Sequence, residues 1–317
     1  MDAARLSPGS RVALLVPGSH EYVDLVLSLL AAGVFPVPLD PALTAAERTR
    51  ILAPIEPDLV ITDHTEISAL LATLDPRRRR ALPRGRPIHC TSGTTGTPKG
   101  VFSGPLSRAD AAALVAEERD LWGFSPDDVN LVLSPLHHSA PLRFAMGTLL
   151  AGGRIVLPGR FDAGRITEAL RSERPTTMFC VPTHLQRLLA HWDDVGMPDL
   201  SSFRLVAHAG APCPPSLKRR LIEAFPAGTT WEFYGSTEGQ FTACSTEDWQ
   251  RRPGSVGRAR PGRSLSIDAD SGTIWCEVPS YARFTYWQDP EKTAAAWRGN
   301  AFSVFDLGRI DDGYLYL

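Results

Sequence analysis

The chain is 317 residues long, with 43% apolar and 21% charged residues and a formal net charge of -2. Its length exceeds what a single hydrophobic core usually fills, so two units are expected. The near-balanced charge excludes an overall pull toward nucleic acid or an anionic membrane surface, and no apolar run approaches the ~20 residues that span a bilayer.

The N-terminus lacks a signal-peptide pattern. Cys90, Cys180, Cys213, Cys244 and Cys276 stand apart, with no Cys-x-x-Cys pair and no clustering with histidine. An odd, dispersed set suits reduced thiols in a cytoplasmic setting and argues against structural zinc. Residues 12–16 read as a strand and 21–32 as a helix with apolar positions at helical spacing, ended by Gly33. Short strands are expected at 34–39 and 59–62, with a helix over 44–52 between them; Thr44 and Glu47 have the spacing of a capping box. Residues 75–87, rich in Arg and Pro, read as a solvated linker, because like charges repel and stay exposed. The alternation continues with strands at 130–133, 154–157, 176–181 and 204–207. After about residue 254 the texture changes to short strands and turns, as at 264–267 and 273–278. The pattern implies an α/β fold: mostly parallel sheets flanked by helices over 1–253, and a smaller β-rich subdomain over 254–317.

The densest chemical signal is Thr91-Ser92-Gly93-Thr94-Thr95-Gly96-Thr97-Pro98-Lys99-Gly100, which follows a short apolar strand at 88–90. Its glycines let backbone N–H groups approach an anion, its hydroxyls add donors, and Lys99 adds a compact positive charge. That combination suits a polyphosphate. The order GxxxxGK[ST] is absent, so this is not a Walker A loop.

This loop resembles the signature of the adenylate-forming superfamily, which includes acyl-CoA synthetases, peptide-synthetase adenylation domains and luciferase-like enzymes. The resemblance extends over nearly the whole chain, and further motifs fall in the family's order. Pro135-Leu136-His137-His138-Ser139-Ala140-Pro141 resembles the segment whose histidine closes the acid pocket, a role that falls on His138 as gate and hydrogen-bond donor. His208-Ala209-Gly210-Ala211-Pro212 resembles the segment lining the adenine and acyl sites, with Gly210, Ala211 and Pro212 against the ring. In Glu232-Phe233-Tyr234-Gly235-Ser236-Thr237-Glu238, Tyr234 would stack on adenine, with Gly235 and Ser236 beside it. Thr237 resembles the residue that holds a phosphate, and Glu238 the ligand of Mg²⁺. Asp306 matches the carboxylate that accepts from both ribose hydroxyls, although Phe305 precedes it where the family has a small residue. Gly254-Ser255-Val256-Gly257-Arg258 and Asp289-Pro290-Glu291-Lys292-Thr293 resemble structural landmarks, the second a helix start with Pro at N1. His137, Phe144, His208 and Phe233 are candidate walls of the acid pocket, and equally candidates for ordinary core.

The resemblance implies activation of a small-molecule carboxylic acid by ATP with Mg²⁺, followed by transfer to coenzyme A or a carrier protein. The motifs are most like those of acyl-CoA synthetases. An aryl- or amino-acid-adenylating ligase and a catalytically silent nucleotide-binding protein are the alternatives. Within this reading, the arginines at 77–80 offer a contact for an acidic partner such as a carrier protein or coenzyme A phosphates. The family pattern continues past the Tyr314-Leu315-Tyr316-Leu317 ending into a small mobile domain that supplies a lysine to the reacting acid, and that domain is expected to be absent here. One lost charge stabiliser commonly costs ~10²–10³ in rate. The 317-residue chain is therefore expected to bind ATP and acyl-AMP yet turn over slowly by itself, and full-speed ATP–pyrophosphate exchange would contradict this.

Overall fold

The computed structural model describes residues 6–77, 81–91 and 99–317. Strands Arg11–Leu14, Phe35–Pro38 and Leu59–Ile61 form a small parallel sheet with Arg11–Leu14 in the centre. The helix between the first two, His20–Ala31, starts where Ser19 accepts a bond from the Tyr22 N–H and buries eight side chains. Helix Ala45–Ile55 carries the expected capping box, Thr44 with Glu47, and helix His64–Thr73 opens on a second box, Asp63 with Glu66. Each box satisfies N–H groups that a helix start leaves orphaned.

A larger parallel sheet has five strands in the order Thr230–Glu232, Leu205–His208, Thr177–Cys180, Val129–Val132, Arg154–Val156. All its pairings are parallel, and its strands read as near-continuous apolar runs because helices cover both faces. Trp122, Phe124, Phe144, Phe179 and Phe233 fill an aromatic core between this sheet and its flanking helices. Beyond 254 the strands are short, as expected, and they pair antiparallel. One of them, Thr285–Tyr286, leaves that region to pair with Lys99–Phe102, which in turn pairs with His89–Thr91.

The linker expected over 75–87 is solvated only in part. Pro83 and Gly85 are buried, and the Arg84 N–H donates to the Leu30 carbonyl at 2.9 Å. Packing against the first helix overrides the local composition here.

Gly257 closes the landmark at 254–258. It has φ +93°, and a Cβ there would lie 2.1 Å from the Ala243 carbonyl oxygen. Leu315 N–H donates to the Gly257 carbonyl at 2.8 Å, so the close approach also carries the last strand. Gly257→Ala is expected to lower stability by at least ~2 kcal/mol, read as a fall in the denaturation midpoint.

Candidate active site

The parallel strands of the large sheet end in register, with Cys180 beside His208 and His208 beside Glu232. The segments that follow therefore start from one edge, the usual place for ligands in such sheets. His208 leads into Gly210, Ala211 and Pro212, all exposed. Glu232 leads into a tight turn in which the Ser236 N–H donates to the Gly239 carbonyl at 2.8 Å and the Glu238 N–H to Ser236 Oγ at 3.2 Å.

Tyr234 and Asp306 are 72 residues apart, yet the Tyr234 hydroxyl donates to Asp306 Oδ2 at 2.6 Å. The Tyr234 ring packs on Phe241 with centroids 4.8 Å apart. Burial first, and then the Asp306 carboxylate, push the Tyr234 hydroxyl far above its ordinary range, so it remains a donor. The residues expected at the adenine and the ribose thus meet directly.

Glu238 is buried, and its Oε1 accepts from the Tyr286 hydroxyl at 2.9 Å. A carboxylate has further acceptor sites, so Glu238 retains capacity for a hard cation. No group of three acidic, His or Cys side chains is placed to hold a metal among the described residues. A cation at Glu238 would accordingly complete its shell with phosphate oxygens and water, as Mg²⁺ commonly does.

Ser92, Gly93, Thr94, Thr95 and Gly96 lie outside the described residues. The flanks of their loop are clear: Thr91 pairs with Lys99 across a hairpin, and Lys99 begins the return strand. Lys99 Nζ sits 2.7 Å from Asp289 Oδ2. Asp289 also caps the helix Pro290–Ala296 by accepting from the Lys292 N–H, with Pro290 at N1 as expected. The Lys99 hydrogen bond leads the causes that hold the Asp289 carboxyl below the usual range.

His138 is exposed and stands at the N-cap of helix Ser139–Leu150, its ring 4.3 Å from that of His137. His89, on the hairpin, donates from Nδ1 to the His137 carbonyl at 3.1 Å. Burial drives His89 down to about 3, so it is neutral and its tautomer is fixed by that bond. His208 is fully buried with its Nε2 2.6 Å from Lys218 Nζ, and Phe144 and Phe233 belong to the aromatic core. Of the candidate walls, these three are core.

A cavity of about 210 Å³ adjoins the turn, with Thr237 and Gly239 in its wall. On its other sides lie Pro83, Arg86, Ser139 and Arg143. The role of Tyr286 was not visible in the sequence, although it lies three residues before the Asp289 landmark. Arg143 left a clearer trace, as the one charge in an otherwise apolar helix sequence.

Phe305 adopts φ +66° and is 56% exposed. The left-handed region costs a non-glycine residue ~1–2 kcal/mol, which explains why a small residue suits the position. Because the ring buries little, Phe305→Gly is expected to raise stability by about 1 kcal/mol, measurable as a shift in melting temperature.

The chain matches the AMP-binding enzyme family over residues 1–84 and 88–278. It is 32% identical to a feruloyl-CoA synthase from Amycolatopsis, aligned over 99% of this chain and 69% of that protein. It is 30% identical to a long-chain-fatty-acid–CoA ligase from Mycobacterium tuberculosis, over 100% of this chain and 69% of that one. Among solved structures, MatB from Rhodopseudomonas palustris, known without ligand and with ATP bound, superposes with a TM-score of 0.78 at 29% identity, over 99% of this chain and 69% of that one. With its two parallel sheets and these similarities, the chain belongs to the AMP-binding enzyme family and is an adenylate-forming acid–CoA ligase.

Proposed function

We propose that the protein activates a carboxylic acid with ATP and Mg²⁺ and passes the acyl group to coenzyme A. One observation carries the reading. Thr237 stands in the cavity wall while Glu238, the next residue, is tied through Tyr286 to the strand returning from the Thr91–Lys99 hairpin. A cavity for an acid and a loop suited to polyphosphate therefore share one turn.

In this reading a carboxylate oxygen of the acid attacks the α-phosphorus of ATP in line. The bond from that phosphorus to the bridging oxygen breaks, and pyrophosphate leaves. A thiolate then attacks the acyl carbon of the mixed anhydride and AMP departs. Asp306 accepts from the ribose hydroxyls and Tyr234 offers its ring to adenine against Gly210, Ala211 and Pro212. Lys99 and the hydroxyls of the loop meet phosphate, and Thr237 donates to the phosphate that stays with the acid. Glu238 would hold Mg²⁺, which would supply positive charge to the phosphates. His138, at the start of the cavity-lining helix, gates the acid. Such a site works by positioning and fixed charge more than by covalent chemistry. The ATP-bound relative supports the nucleotide assignment, and the ligases of ferulate and fatty acids support the acid–CoA assignment. Five free cysteines accord with a reducing, cytoplasmic setting.

A panel of acids incubated with ATP and the protein, scored for adenylate by mass spectrometry, tests the reaction. Selective use of an amino acid would overturn the acid–CoA assignment. Asp306→Ala removes one or two hydrogen bonds to a charged group and is expected to weaken AMP binding about tenfold to a hundredfold by calorimetry.

A further inference from the structure

The cavity beside Thr237 is mostly apolar, but one side carries an unusual concentration of charge. Helix Ser139–Leu150 presents Ser139, Arg143, Met146 and Leu150 to it, positions that share one helical face. Helix Arg108–Trp122 contributes Glu118 and Arg119, the latter paired with Asp120 at 2.8 Å, and the turn after Arg260 contributes Arg263.

Around this wall lie Arg86, Arg143, Arg260 and Arg263, opposed by Glu117 and Glu118. Arg260 is fully buried, with Nη2 2.9 Å from Glu117 and 2.8 Å from Glu118. Arg263 Nη1 is 2.7 Å from Glu117. Arg143 Nε is 3.3 Å from Glu118 Oε2 without a hydrogen-bonding angle, and its Nη2 donates to Gln240 Oε1 at 3.3 Å. Trp122 Nε1 donates to the same Glu118 oxygen at 3.0 Å. Burial works to raise the Glu118 carboxyl, but Arg143 and Arg260 outweigh it and hold it at about 2. Set against the two glutamates, these four arginines leave two positive charges over, and Glu117 keeps one oxygen, Oε2, without a hydrogen-bond partner. Buried N–H groups are left over: Arg260 Nε and Nη1, Arg263 Nε and Arg143 Nε have no hydrogen-bond partner.

Buried charge is costly unless paired, and buried donors are normally satisfied. A network serving only the fold would balance its charges; here Arg86, Arg143 and Arg263 stand in the cavity wall with Glu118 as the one carboxylate lining it among the described residues. A reacting carboxylate can offset one positive charge at most. We infer that the acid this site accepts carries a second anionic group, which binds the Arg143 and Arg263 side of the cavity while the first carboxylate meets ATP. The inference rests on the proposed adenylation. The apolar remainder of the wall fits a modest hydrocarbon body, since a cavity of ~150 Å³ holds a benzene ring and this one is about 210 Å³. Dicarboxylic acids with a short chain or a single ring meet both requirements.

The test compares acids of equal length by calorimetry on the 317-residue chain saturated with ATP in EDTA. Heptanedioate should bind at least tenfold tighter than heptanoate, and benzene-1,4-dicarboxylate tighter than benzoate. Arg143→Met should reduce the preference to twofold or less, and Arg143→Lys should retain part of it. If Arg143→Met fails to fold, the wild-type comparison and Arg143→Lys still decide. Equal or tighter binding of the monoacids by an ATP-bound protein would overturn the inference. Failure to bind ATP at all would instead sink the proposed adenylation, so the two failures are distinct.

Discussion

Everything at the candidate site depends on the parallel strands of the large sheet ending together. The register is marked by a polar pair within the sheet: Asn130 lies beside Thr177 and donates from Nδ2 to Thr177 Oγ1 at 2.9 Å, a bond that a slip of one residue would break by turning one side chain to the other face. With Cys180, His208 and Glu232 side by side, the segments carrying Gly210 and Tyr234 emerge from adjacent strand ends. The hairpin that flanks the loop proposed to hold phosphate is not part of that sheet. It is held to the edge by two long-range bonds, His89 to the His137 carbonyl and Tyr286 to Glu238, with Tyr286 on the strand paired to the hairpin.

The charged groups proposed to meet nucleotide already have partners within the protein. Lys99 holds Asp289, Tyr234 holds Asp306, and Tyr286 holds Glu238. Glu238 is buried and Lys99 half-buried, and polar groups so placed need such partners, while Asp306 is exposed. Nucleotide binding on the proposed reading is therefore an exchange of bonds, and its net energy is smaller than the number of contacts in the complex would suggest. The same contacts keep the side chains in place beforehand, which reduces the ordering cost of binding.

Local signals in the sequence carried much of this architecture. Apolar runs of four to six residues separated by helical periodicity identified strands within a residue or two of their positions, and Thr44 with Glu47 formed the expected cap. The Pro after Asp289 marked a helix start for the reason anticipated. What failed to show was long-range. The linker over 75–87 looked solvated from its composition, but Pro83 and Gly85 are buried, Arg84 bonds to the first helix, and Ile88 just beyond bonds to the strand at Phe35–Pro38. Tyr286 gave no sign of its bond to Glu238, 48 residues away. The arginine network is assembled from residues 86, 117, 118, 143, 260 and 263, so no window of sequence contains it. His208 looked the same as a pocket wall or a core residue until Lys218 was seen to reach it.

The helix Ser139–Leu150 joins two tasks that could have been separate. Its first turn follows His138 at the sheet edge, and its side at Arg143, Met146 and Leu150 forms cavity wall. A change at Met146 or Leu150 alters the volume offered to a ligand and leaves the strand ends and the hairpin untouched, whereas Arg143 also reaches the turn after Glu232 through Gln240. On the proposed reading selectivity is thus modular: one helical face can be rewritten, a residue at a time, on a backbone whose edge remains constant.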